Sequence, residues 1–169
     1  MIKVISLGGS IVAPDSLDTD FLLRFEAAVR EYLNRHASTD TGDGAQRLIL
    51  VVGGGAPARS YQRALTTVVT GAGRSVDNDE ADWLGVAATK LNAALLRGIL
   101  RDVCPNEVVS DPTAEIEFNG SVLVASGWKP GFSTDYDAVL LAERFGADSV
   151  INLSNIEQVY TADPRTNTE

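Results

Sequence analysis

Three glycine-rich segments are placed to do chemistry: Gly8-Gly9-Ser10, Gly53-Gly54-Gly55, and the stretch from Gly127 to Asp135. Each follows an apolar run and precedes a helical pattern or a capping cluster. Without a Cβ, backbone N–H groups can approach an anion closely, and a helix N-terminus adds partial positive charge. Any one of these glycines could simply make a turn. Their recurrence at three strand ends is what points to phosphate handling. Lys129, the one lysine in these segments, is a candidate phosphate contact, although an exposed loop lysine is the commoner role. The usual nucleotide fingerprints are missing. There is no G-x-x-x-x-G-K-[ST] stretch, no G-x-G-x-x-G after a strand and no protein-kinase set. A single cysteine, Cys104, excludes a disulfide framework and a cysteine-rich metal site. A single histidine, His36, argues against a histidine-cluster metal and a Ser-His-Asp triad, so the metal-ligand expectation for the chain itself is none.

The elements that must position these turns are legible from periodicity. Ile2 to Leu7 reads as a strand, and Asp18-Thr19-Asp20 as a cap. The cap precedes a helix from Phe21 to Arg35, where Leu22, Phe25, Val29 and Leu33 recur at helical spacing. His36 to Gln46 reads as a loop, and Arg47 to Val52 as a strand covered on both faces. Pro57 suits the first turn of a helix running to about Val69, and Glu80 to Arg101 predicts a longer one. Glu107 to Ser110 and Ser121 to Ala125 are expected as strands, Asp135 to Phe145 as a helix, and Ser149 to Leu153 as a further buried strand. This alternation predicts an α/β fold with a mainly parallel, helix-covered sheet. Ligands in such sheets bind beyond the carboxyl ends of the strands, where the three glycine segments fall.

The chain has 169 residues, 44% of them hydrophobic and 22% charged, with a net charge of −9. That length predicts one domain over residues 1–169 with an adequate core. Its 14 Lys and Arg are scattered through an acidic chain, which argues against a nucleic-acid polymer as partner. A small anionic ligand would be held by local N–H groups and a few cations. No apolar run reaches the ~20 residues needed to cross a bilayer, and the N-terminus enters a strand pattern directly, so a cytoplasmic location without membrane partners is expected.

Leu7-Gly8-Gly9-Ser10, then Val51 to Gly55 with Ala58-Arg59, then Lys129 to Asp135, and finally Ser154 to Pro164 follow one another in a characteristic order. In that order and spacing the chain resembles the amino acid kinase superfamily, and within it the uridylate kinases of the archaeal type. The resemblance implies a three-layer αβα sandwich that transfers the γ-phosphoryl group of ATP to UMP, with Mg²⁺, giving UDP in pyrimidine nucleotide biosynthesis. It places Gly9, Ser10, Gly55 and Arg59 at the ATP phosphates, with Ser154, Asn155, Tyr160 and Asp163 at the adenosine. It places Gly54, Asp82 and the loop Trp128, Lys129, Pro130, Gly131, Phe132, Ser133 and Thr134 at UMP, with Asp82 accepting from the ribose. Asp135, Ser10 and Lys129 would serve the transfer itself, Asp135 by orienting cations; a structural N-cap is the plainer role for that aspartate. A Cβ branch at Gly54 is expected to fill the space of the UMP phosphate without disturbing the fold.

Three departures from the family pattern stand out. Ser6 occupies a position where many members carry lysine, Glu157-Gln158 replaces Asp-Gly, and the chain stops at Glu169, where members continue. The last implies that the C-terminal part of the ATP-binding half is missing, and that this form binds UMP better than ATP. The family also suggests a homo-oligomer, a hexamer. The competing expectations are another small-molecule kinase of the superfamily, or a non-catalytic nucleotide- or oxyanion-binding or storage protein on the same fold.

Overall fold

The structure is a computed structural model that describes residues 1–37 and 46–155. Its four apolar runs become β1 (Ile2–Leu7), β2 (Arg47–Val52), β3 (Val122–Ala125) and β4 (Ser149–Leu153). They form one sheet in the order β3-β2-β1-β4, with every pairing parallel. The helices are α1 (Gly9–Val12), α2 (Thr19–Ala37), α3 (Gly55–Gly71), α4 (Asn78–Ile99) and α5 (Thr134–Phe145).

Alternation along each strand divides the core into two. Leu7, Leu48, Leu50, Val52, Val122 and Val124 face Val12, the Leu22-Phe25-Val29 stripe of α2, and Ala93 and Leu96 of α4. Val4, Ile49, Val51 and Leu123 face Ala138, Leu141 and Ala142 of α5. The result is an αβα sandwich. The chain steps outward from β1 to β2 to β3, then crosses back to place β4 beside β1. Because such crossovers are right-handed, reversing the direction puts the connecting helix on the opposite face, which is where α5 lies.

Local chemistry fixes the helix ends. Asp18 Oδ1 accepts from the Phe21 N–H at 2.8 Å, and the Asp77 side chain caps α4 by accepting from the Asp79 N–H. The Ser133 hydroxyl accepts from the Tyr136 N–H at 3.2 Å to start α5, and Gly146, at φ 59°, ends it.

The sequence-based expectations need four adjustments. Glu107 to Ser110 is not a strand but a single bridge, Val109 to Ala125, beside β3. Arg97 explains this by grasping the carbonyls of Pro105 and Asn106, while the Asn106 side chain bonds Glu117 and Asn119. β4 is an edge strand among the described residues, with Val150 and Ile151 exposed, so its apolar run did not mean cover on both faces. The four-residue α1 was not anticipated, and His36 belongs to the last turn of α2 rather than to a loop. No helix among the described residues is long and apolar enough to cross a membrane.

Candidate functional site

The first two glycine segments interlock at the carboxyl ends of β1 and β2. A Cβ on Gly9 would lie 2.1 Å from the Gly55 nitrogen and 2.7 Å from the Gly54 nitrogen. Gly55 itself sits at φ +63°, against the carbonyls of Gly9 and Ala13. The Gly53 N–H donates to Leu7 O at 2.9 Å and the Ala56 N–H to Ala13 O at 2.8 Å, sewing the turns together. From α4, the buried Asn92 amide donates to the carbonyls of Gly53 at 2.8 Å and Gly54 at 3.1 Å. These glycines therefore serve backbone-to-backbone packing. Removing the Asn92 amide would strand two carbonyls, so Asn92→Ala is expected to lower the unfolding free energy by about 1–3 kcal/mol. Urea denaturation checks this, and an unchanged midpoint would mean the clamp is dispensable.

Gly54 needs a correction. A Cβ there would meet the Ala58 Cβ at 2.7 Å and the Gly85 carbonyl at 3.3 Å. A branched residue would wedge α3 from α4, so valine at this position cannot leave the fold untouched as the sequence suggested.

The third glycine segment is tied down at three points. The Gly127 N–H donates to Thr89 Oγ1 of α4 at 2.8 Å, and the Trp128 N–H to Asp137 Oδ2 of α5 at 3.1 Å. The Gly131 N–H donates to Asp82 Oδ2 at 3.2 Å. Phe132 stands between Trp128 and Tyr136, with ring centroids 4.9 and 5.2 Å away. The Lys129 ammonium lies 3.7 Å from the Trp128 ring centroid, a cation–π placement. Asp137 is 1% exposed, and its Oδ1 has no hydrogen-bond partner. Burial pushes its carboxyl up to about 6, against the opposing effect of the Trp128 N–H.

These ties leave a pocket of about 490 Å³ between the second and third segments. Gly54, Asp82 and Lys129 through Thr134 line it, so all the residues the resemblance assigns to UMP except Trp128 share one wall or another. Gly55 and Arg59, assigned to ATP, line the same pocket. Arg59 Nη2 also donates to Pro14 O at 2.8 Å, which holds the guanidinium just beyond the end of α1. Ser10, Ser154 and Asn155 meet instead around a separate hollow of about 330 Å³, together with Asp18 and Arg24. Asp135 sits at the α5 start, its Oδ1 accepting from Ser6 Oγ at 2.5 Å and from Asn152 Nδ2 at 3.0 Å. Tyr160 and Asp163 lie outside the described residues.

Sequence reasoning missed Thr89, Asn92, Asp137 and Gln62, which lines the pocket and donates to Ala81 O at 3.0 Å. Thr89 and Asn92 carried a signal: polar residues three apart on the α4 face that also presents Val86, Ala93 and Leu96. Asp137 carried none, because an acidic residue in a first helical turn is ordinary.

The parallel order and these linked turns agree with the comparisons with known proteins. A uridylate kinase of Methanospirillum hungatei is 40% identical over 167 residues, covering 96% of this chain and 62% of that relative. A uridylate kinase of Methanocorpusculum labreanum is 36% identical, covering 96% and 63%. The chain thus spans less than two thirds of the length of these curated relatives. The crystal structure of uridylate kinase from Archaeoglobus fulgidus superposes with a TM-score of 0.75 at 30% identity, covering 99% of this chain and 69% of that one. Since the family profile also matches all of residues 1–169, the chain belongs to the amino acid kinase family.

Proposed function

We propose that the protein is a UMP kinase, transferring the γ-phosphoryl group of ATP to UMP to give UDP and ADP. The observation that carries the reading is the 490 Å³ pocket, where Gly54, Asp82 and the Lys129 to Thr134 loop converge beyond the strand ends. Relatives named uridylate kinase at 36–40% identity support it. In-line phosphoryl transfer asks the protein chiefly to align two anionic substrates and stabilise charge. The third segment supplies an aromatic and lysine wall for one substrate, and Arg59 lines the same pocket. Among the described residues no cluster of three or more His, Cys, Asp or Glu is placed to hold a metal ion. Mg²⁺, a cation that keeps few protein ligands, would supply charge neutralisation for the phosphates, and Asp135 is the carboxylate proposed to orient it.

The test is ADP release with UMP, CMP, dUMP, AMP or no acceptor. UMP is expected to be preferred, and UMP over dUMP by roughly tenfold or more, if Asp82 receives the ribose hydroxyls. In Asp82→Ala, which removes the acceptor, the preference over dUMP should collapse. Equal use of UMP and dUMP by the wild type removes Asp82 from that role. Nucleotide binding without any ADP release would favour a storage or sensing protein instead.

A further inference from the structure

We infer that Ser6 and Asn152 are positioning residues that hold the Asp135 carboxylate in a single orientation from two neighbouring strands. Ser6 and Asn152 are register partners on β1 and β4, one residue before the carboxyl ends of both strands. Between these strands the sheet order reverses direction, and open α/β sheets bind ligands at that junction. The Ser6 hydroxyl is 2% exposed and donates to Asp135 Oδ1 at 2.5 Å, the short range of an O–H to carboxylate bond. Asn152 Nδ2 donates to the same oxygen at 3.0 Å. Both donors, buried Ser6 and exposed Asn152, stand on strands whose backbones the sheet fixes, whereas Asp135 is an exposed residue in the first turn of α5. An exposed aspartate would otherwise exchange among rotamers. Two donors on one oxygen select one rotamer and leave Oδ2 without a bond among the described residues, the oxygen the proposed transfer would use.

The inference rests on the proposed transfer to UMP, so its test has two arms. In steady-state kinetics with ATP and UMP, Ser6→Ala is expected to lower kcat roughly 10–100-fold with little change in either KM. Ser6→Thr, which keeps a hydroxyl, should recover most of the loss. Asn152→Ala should fall in the same direction, and the double variant by less than the product of the two, because they share one acceptor. A wild-type kcat in Ser6→Ala, or a threonine variant as impaired as the alanine one, overturns the inference. The second arm needs no activity: three-bond scalar couplings measured by NMR report the χ1 rotamer of Asp135. One rotamer is expected in the wild type and averaging in the double variant. Averaged couplings in the wild type, or unchanged ones in the double variant, overturn the positioning role. A wild type that transfers nothing to UMP sinks the functional reading, and the couplings still decide this one.

Discussion

Gly9→Ala is expected to destabilise the fold severely, with a loss above about 4 kcal/mol, in the range reserved for severe core or backbone conflicts. The added methyl would sit 2.1 Å from the Gly55 nitrogen, and its three nearest neighbours are all backbone atoms. No side chain can rotate away. Separating the two turns would also break the Gly53 to Leu7 and Ala56 to Ala13 hydrogen bonds and pull the Asn92 clamp off its carbonyls. Against a typical total stability of about 5–15 kcal/mol, that removes from about a quarter to most of what holds the chain folded. Gly98→Ala is the control. Gly98 lies within α4 with nothing within 4 Å of its Cβ position, so this substitution should add about 0.5–1 kcal/mol through helix propensity alone. Urea unfolding followed by circular dichroism reads both. A Gly9→Ala protein with the wild-type midpoint would show that the two turns can part without cost, and the interlocking described above would be wrong.

Asp137→Asn should stabilise the protein at neutral pH and leave it unchanged in acid. With its carboxyl raised to about 6 from an ordinary 3.8, the folded protein holds this proton more tightly than the unfolded chain. Wherever the folded state binds more protons, stability falls as pH rises. The loss therefore accumulates between about pH 4 and 6 and is complete above that window. The shift corresponds to roughly 1–3 kcal/mol of unfavourable charge burial at neutral pH. Asparagine cannot ionise, and its carbonyl oxygen can still accept from the Trp128 N–H. The stability difference between variant and wild type should thus grow from near zero at pH 4 to roughly 1–3 kcal/mol in favour of the variant above pH 7. Taking the difference cancels the other carboxylates, including Asp102 and Asp111, which are held below their ordinary range by Arg30 and Thr113. A difference that stays flat with pH would mean that Asp137 is not carrying a buried charge.

The parts of this fold that were legible are those whose signal is local. Val51-Val52 running into Gly53-Gly54-Gly55 states a strand and its stop within a few residues, and the α2 stripe of Leu22, Phe25 and Val29 states its buried face. The parallel order and the placing of the glycine segments at strand ends followed from that alternation. What failed depended on distant partners. Val108-Val109 looks like a strand, yet Pro105, Asn106 and the reach of Arg97 from α4 decide that only one bridge forms. Gly9 and Gly55 read as places for an anion to approach, and that they are also packed against each other was not legible. Ser6 reads as a missing cation, and its contact with Asp135, 129 positions away in sequence, is invisible before the chain folds. Asp137 was hidden too, since nothing near it in sequence announces that its carboxylate will be buried with the Trp128 N–H as its donor.

The return of β4 to the side of β1 has a consequence for how the chain assembles. β1 can pair with β2 as soon as Arg47–Val52 has been made, but its other edge is completed only by Ser149–Leu153. At a synthesis rate of about 5–20 residues per second, that edge waits roughly 5–20 s with its N–H and C=O groups unpaired. An open strand edge is a template for a second chain. The pairing that completes it joins residues at opposite ends of the described chain, and such distant contacts form late because loop closure precedes any gain from them. Aggregation of nascent chains should therefore concentrate in the interval before β4 emerges, and β1 is the strand at which it begins.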